Sequence, residues 1–252
     1  MGPLALAAVW FGPPWFTLLV LLAAVGMAWE WACMSGAARS LASTTIIGTA
    51  AATVIIATLL PASWAISIAI AGAVLVWRAC EAVKASAPLS SAAGTLWVAL
   101  PCVALVWLDR EGGGRTTIFW LLGLVWASDI GAYAFGRTIG GPKLAPSLSP
   151  NKTWAGALGG LFCAGLIGVA AAWPGHASIA TVVGLSIGLA VVAELGDLAE
   201  SALKRRFGVK DSGALIPGHG GLLDRLDSLL TAALVQAIVI WLAGGSPLDW
   251  RL

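Results

Sequence analysis

Residues 179–228 read IATVVGLSIGLAVVAELGDLAESALKRRFGVKDSGALIPGHGGLLDRLDS. The first part, Ile179 to about Leu198, is apolar for the length of a membrane-crossing helix, which takes about 20 residues. It runs directly into Glu194–Ser228, where acids, bases and glycines crowd together. The whole chain has 252 residues, of which 59% are hydrophobic and only 10% charged, and its mean hydropathy is +0.92. Soluble domains are about 45–50% apolar and about 25% charged, so lipid must be the solvent for most of this chain. Ionisable groups gathered at one place in such a chain mark a site of chemistry or transport.

Working outward, seven more apolar runs are read as spans: Trp15–Met34, Ser43–Leu60, Trp64–Trp77, Ala92–Leu108, Thr116–Phe135, Trp154–Trp173 and Leu222–Ala243. The expected fold is all-α, a polytopic membrane bundle of about eight spanning helices. Residues 1–115 are read as its N-terminal helices and 116–252 as its catalytic region, in one continuous membrane domain. Met1–Phe11 is apolar but short, and Gly12-Pro13-Pro14 breaks it. It reads as a truncated span, a re-entrant segment or one arm of a hairpin. Glu30, between Trp29 and Trp31, reads as an interfacial carboxylate that snorkels to water.

Alternating eight spans puts Arg39, Arg78, Lys84, Arg137, Lys143, Lys152, Lys204, Arg205, Arg206, Lys210 and Arg225 on one side and leaves Arg110, Arg115 and Arg251 on the other. Basic loops stay in the cytoplasm, so the polar stretch is expected to face the cytoplasm from the inner (plasma) membrane. Trp15, Trp64, Trp77, Trp107, Trp154, Trp173 and Trp241 lie near span ends, as interfacial anchors do. No basic stripe lies outside the polar loops, which excludes nucleic acid as a partner. The four cysteines are scattered through apolar runs without metal-ligand spacing.

Three polar constellations fall on the cytoplasmic side. Asp129 and Tyr133 are four apart near the end of one span and share a helix face. Asp129 lies well inside an apolar run, so it should face a partner, for function or as a structural contact. A loop follows, with Lys143, Ser149, Lys152 and Thr153 just before a helix starts. Such groups at a helix N-terminus suit phosphate, although Ser149 or Thr153 would also serve as a helix cap. In the third, Glu194, Asp197, Glu200, Ser201 and Lys204 line one face of a helix by their spacing. A row of acids repels itself unless cations sit among them, and hard oxygen donors suit Mg²⁺. Lys204-Arg205-Arg206 offer charge to phosphates or lipid headgroups. The turn Pro217-Gly-His-Gly-Gly221 leaves backbone amides free for an anion. Asp224 and Asp227 open the last helix, where the dipole favours carboxylates. Acids and lysines that converge on phosphates are what phosphoryl or nucleotidyl transfer requires.

Ser201, Lys204, Arg205, Lys210, Asp211, Pro217, Gly218, His219, Gly220, Gly221, Asp224, Arg225 and Asp227 together resemble the signature of the phosphatidate cytidylyltransferase (CDP-diacylglycerol synthase) family. Ser128-Asp129-x-Gly131-Ala-Tyr133, Lys143-Leu-Ala-Pro146, Ser149-Pro-x-Lys152-Thr-Trp154 and Gly196-Asp197-Leu-x-Glu200-Ser201 fit the same family, firmly over about residues 120–230 and loosely at Trp29-Glu30-Trp31. The sequence departs from it at Ala155, where the family often has Glu, and in residues 1–12, which lack the family's basic start. The first helix is therefore abbreviated or begins upstream.

The resemblance implies that CTP and phosphatidic acid give CDP-diacylglycerol and pyrophosphate with Mg²⁺ in a bilayer, with room for a second ion that could be monovalent and for assembly as a homodimer. It implies Asp197 and Asp224 as first metal ligands, with Asp227, Glu200 and Asp129 next. Lys143, Lys152, Lys204, Arg205 and Lys210 would hold the triphosphate and the lipid phosphate. Ser149, Thr153, Ser201, Asp211, Gly218, Gly220, Gly221 and Arg225 would line the substrates, and His219 would meet pyrophosphate or move a proton. The alternatives are a CTP-dependent kinase of an isoprenoid alcohol and an ion-coupled transporter that uses Asp129 and Glu194.

Overall fold

The computed structural model describes residues 2–37, 40–83, 87–111, 113–173, 177–216, 218 and 220–249. Among them run α1 (Gly2–Phe11), α2 (Trp15–Met34), α3 (Leu41–Leu59), α4 (Ala62–Ala82), α5 (Pro88–Arg110), α6 (Gly114–Thr138), β1 (Lys143–Ala145), β2 (Ser149–Thr153), α7 (Trp154–Ala172), α8 (Ile179–Arg206) and α9 (Leu223–Ala243), then one 3₁₀ turn at Pro247–Asp249. The eight helices from α2 to α9 are long and apolar enough to cross a membrane, so the chain is a polytopic all-α membrane protein. Each expected span has its helix, with ends displaced by a few residues except at α8, whose polar end continues to Arg206. The short apolar start is α1, packed against α2.

The chain forms two units, Met1–Trp107 with Lys204–Leu226, and Leu108–Leu203 with Asp227–Leu252. In the first unit α2, α3 and α4 pack in chain order. Lipid supplies no hydrophobic drive between helices, so close packing must hold them, and small residues permit it. Gly72 of α4 leaves the space that Thr49 of α3 fills, and Gly94 of α5 leaves the space taken by the Trp31 indole. Trp31 is buried and meets Phe207 edge-on, with ring centroids 5.9 Å apart.

In the second unit α6 and α7 pack face to face. A Cβ at Gly156 would lie 2.7 Å from the Ala132 carbonyl oxygen, and one at Gly160 would lie 2.9 Å from the Ser128 carbonyl oxygen. The two backbones thus approach as closely as glycine allows. Gly160→Ala is expected to lower stability by about 1–3 kcal/mol, read as a lower unfolding midpoint in detergent; an unchanged midpoint would show that these helices can separate without cost. Buried hydroxyls are satisfied in the same unit. The Trp120 indole N–H donates to Ser186 Oγ at 2.9 Å, and Ser186 Oγ–H donates to the Val182 carbonyl at 2.8 Å.

The loop expected over 136–153 contains an antiparallel hairpin, in which Lys143 pairs with Thr153 and Ala145 with Ser149. Pro142, Pro146 and Pro150 argue against strands by pattern; with strands of three and five residues, the prolines sit outside the pairing positions. Thr153 ends β2 and caps α7, its hydroxyl accepting from Gly156 N–H at 3.1 Å. Trp15, Trp64, Trp77, Trp154, Trp173 and Trp241 are exposed, as expected of anchors, while Trp107 is half-buried.

Candidate active site

The polar groups gather in two clusters, one in each unit. In the unit of residues 108–203, β2 brings Lys152 to the acidic end of α8. Its ammonium lies 2.8 Å from Glu194 Oε1 and 2.6 Å from Asp197 Oδ2. Asp129 of α6 lies within the electrostatic reach of Asp197, Lys152 and Glu194. Ser201 Oγ–H donates to Asp197 Oδ1 at 3.4 Å, one turn along the helix. Burial opposes the Lys152 ammonium, but Asp197 and Glu194 more than offset it and hold its pKa above the usual lysine value. Two carboxylates thus pair with one cation, and a third lies within its field.

Helix periodicity put Glu200 on the same face, yet Glu200 has no exposed surface whereas the Asp197 side chain is 30% exposed. Asp227, three residues past Asp224 on α9, is buried, and its Oδ1 accepts from Ser228 N–H at 2.7 Å. Asp129 itself is exposed. Lys143, at the start of β1, is also exposed, and Ser149 at the start of β2 is half-buried.

In the unit of residues 1–107 with 204–226, the centre is Asp224, in the first turn of α9. Lys204 Nζ lies 2.6 Å from Asp224 Oδ1, and both side chains are mostly buried. Asp224 Oδ2 accepts from Ser212 N–H at 2.9 Å and from Gly221 N–H at 2.9 Å. The glycine turn explains why these amides point inward. Ile216 N–H donates to the Gly220 carbonyl at 3.2 Å, and Gly218 and Gly220 adopt φ of 76° and 81°, which side chains rarely adopt. The turn folds back and delivers the Gly221 amide to Asp224. Around it Arg205, Lys210, Asp211 and Arg225 are exposed. Pro217 and His219 lie outside the described residues.

Glu30 is where the sequence reading fails. It is 1% exposed and does not snorkel. Leu222 N–H donates to its Oε1 at 2.8 Å, while Leu223 N–H at 2.8 Å and Ser212 Oγ–H at 3.0 Å donate to its Oε2. The sequence signal was a carboxylate in an apolar run, which belongs where it finds partners. Its closeness to the span end made water look like that partner.

Hard carboxylate oxygens gathered about an ammonium form a donor set that also suits a divalent cation. Among the described residues no three acids converge tightly enough to cage a metal. Nucleotide-bound Mg²⁺ does not need such a cage, because one or two carboxylates and the substrate phosphates hold it.

The cytidylyltransferase family matches residues 1–243. A phosphatidate cytidylyltransferase of Brucella suis biovar 1 (strain 1330) is 39% identical over 245 residues, covering 92% of this chain and 87% of the relative. One of Staphylococcus aureus (strain COL) is 45% identical over 124 residues, 48% of each chain. A family match over residues 1–243 and a relative 39% identical over most of both chains show that this chain belongs to the cytidylyltransferase family.

Proposed function

We infer that this chain transfers the cytidylyl group of CTP to phosphatidate, giving CDP-diacylglycerol and pyrophosphate in a membrane. The observation that carries the reading is the Lys204–Asp224 pair, set among the amides of a glycine turn. It gives one cluster a cation and an acid at a place where backbone donors are already aimed. The membership of the family and the named relatives support the same reaction.

In the proposed reaction a phosphate oxygen of phosphatidate forms a bond to the α-phosphorus of CTP. The bond from that phosphorus to the oxygen bridging to the β-phosphorus breaks, and pyrophosphate leaves with the electron pair. A phosphate monoester carries about −1.5 to −2 charge at neutral pH, so the nucleophile needs no base. The protein's task is positioning and charge stabilisation. Lys143 and Lys152 in one cluster, with Ser149 and Ser201, and Lys204, Arg205 and Lys210 in the other, with Arg225 and the amides of Gly218 and Gly220, are proposed to hold phosphate; the Gly221 amide is taken by Asp224. Asp224 in one cluster and Asp197 in the other are each proposed as a first ligand of Mg²⁺, with Asp129, Glu200 and Asp227 as further acids. The bound ion would supply positive charge to the triphosphate. Lys152 pairs with Asp197, and Lys204 with Asp224, which keeps these two carboxylates in place.

The site is proposed to face the cytoplasm from the inner membrane. Eleven basic residues assigned to one side of the bilayer against three on the other support this orientation, as does the need to reach a water-soluble nucleotide. Purified protein in detergent with CTP, phosphatidate and Mg²⁺ is expected to form a CDP-lipid and release pyrophosphate in equal amounts. Absence of both products with every divalent ion tried would contradict the reading. CDP as the nucleotide product would instead indicate a kinase.

A further inference from the structure

Glu30 lies near the end of α2, far in sequence from the signature residues, yet all three of its donors belong to the segment that holds Asp224. The amides of Gly221, Leu222 and Leu223 are consecutive and are divided between two carboxylates. The first donates to Asp224 and the next two to Glu30. Ser212 bridges the same two acids, its hydroxyl donating to Glu30 and its amide to Asp224. Leu222 and Leu223 stand at the start of α9, where helix amides lack partners within the helix and where the helix dipole favours an anion. A carboxylate from α2 therefore does for this helix what a capping side chain does elsewhere.

The local glycines fit this role. A Cβ at Gly213 would lie 2.8 Å from Glu30 Cγ and from Oε1, and a Cβ at Gly221 would lie 2.7 Å from Glu30 Oε2. Neither residue has a positive φ, so room, and not backbone conformation, requires glycine there. Two backbone segments close on one carboxylate, and a shift of that carboxylate would move both.

We propose that Glu30 is a positioning residue of the cytidylyl transfer, which from α2 fixes the 212–223 backbone that holds Asp224 against Lys204. The inference rests on the functional reading above. Gln in its place would set an amide NH₂ against a backbone N–H, because each carboxylate oxygen already accepts from one. The segment would then shift, and a misplacement of about 1 Å can cost roughly 10² in rate.

The test compares Glu30→Gln, Glu30→Asp and Ser212→Ala with the wild type, measuring kcat per folded molecule and KM for CTP. Glu30→Gln is expected to lower kcat by roughly 10–10²-fold with KM changed less than about threefold. Glu30→Asp keeps the charge and should recover a large part of the rate. Ser212→Ala keeps the amide on Asp224 but loses the bridge, and should lower kcat by a smaller factor. Added to Glu30→Gln it should cost little more, because both act through one contact. Ile46→Ala, a buried α3 position, serves as a destabilised control with its kcat per folded molecule retained. If Glu30→Gln does not fold, Ser212→Ala decides: an unchanged kcat overturns the proposal. A Glu30→Gln rate within twofold of an active wild type overturns it alone, as does a loss shared equally by Ile46→Ala. An inactive wild type overturns the functional reading and this inference with it.

Discussion

Asp224→Asn is expected to lower kcat by roughly 10²–10³-fold while leaving the protein folded. The two side chains have nearly the same shape, so the effect isolates charge. Asp224 Oδ2 accepts two backbone amides, from Ser212 and Gly221, and Oδ1 faces the Lys204 ammonium. The single oxygen of Asn can keep the amides only if its NH₂ turns toward Lys204, donor against donor. The opposite orientation sets the NH₂ against both amides. In either case Lys204 loses its anion and the proposed metal ligand loses its charge. The stability cost should be about 1–3 kcal/mol, too little to explain the loss of rate. A variant within tenfold of wild-type activity would remove Asp224 from the proposed machinery.

Lys152→Met is expected to lower both activity and stability, the rate by roughly 10²-fold and the stability by about 2 kcal/mol. Met keeps most of the side-chain length and loses the ammonium that separates Glu194 from Asp197. Asp129 shares the same field, so the loss of this cation leaves Glu194 and Asp197 unscreened and a third acid within their reach. A double-mutant cycle checks this: Asp197→Asn should cost less stability in the Lys152→Met background than in the wild type, by roughly 1 kcal/mol. Purely additive costs would mean that the ion pair is decorative. The alkaline limit has a definite sign. Because the folded-state pKa of Lys152 is raised, its pairing contributes fully below the ordinary lysine value of about 10.4. That contribution is lost as pH climbs through the higher folded value.

The spanning helices were legible because hydropathy over some twenty residues leaves little choice. Local spacing also worked where its partner was local: of Ser149 and Thr153, either of which could cap the following helix, Thr153 is the cap. The acidic face of α8 was legible as a face, but its periodicity could not say that Glu200 is enclosed while Asp197 keeps an open side. Lys152 was read toward phosphate, and its pairing with two acids more than forty residues away needed the fold. The β1–β2 hairpin was hidden by three prolines and very short strands. Glu30 was the least legible. Two of its three donors are backbone amides, which carry no side-chain signal, and all of them lie more than 180 residues away.

The fate of labelled phosphorus tests the proposed reaction most directly. Purified protein is given phosphatidate with CTP labelled at either the α- or the γ-phosphorus. Attack at the α-phosphorus predicts that the α-label enters the lipid fraction as CDP-diacylglycerol and that the γ-label leaves entirely as pyrophosphate. A γ-label recovered in lipid, with CDP in the aqueous phase, would contradict the assignment and make the protein a kinase.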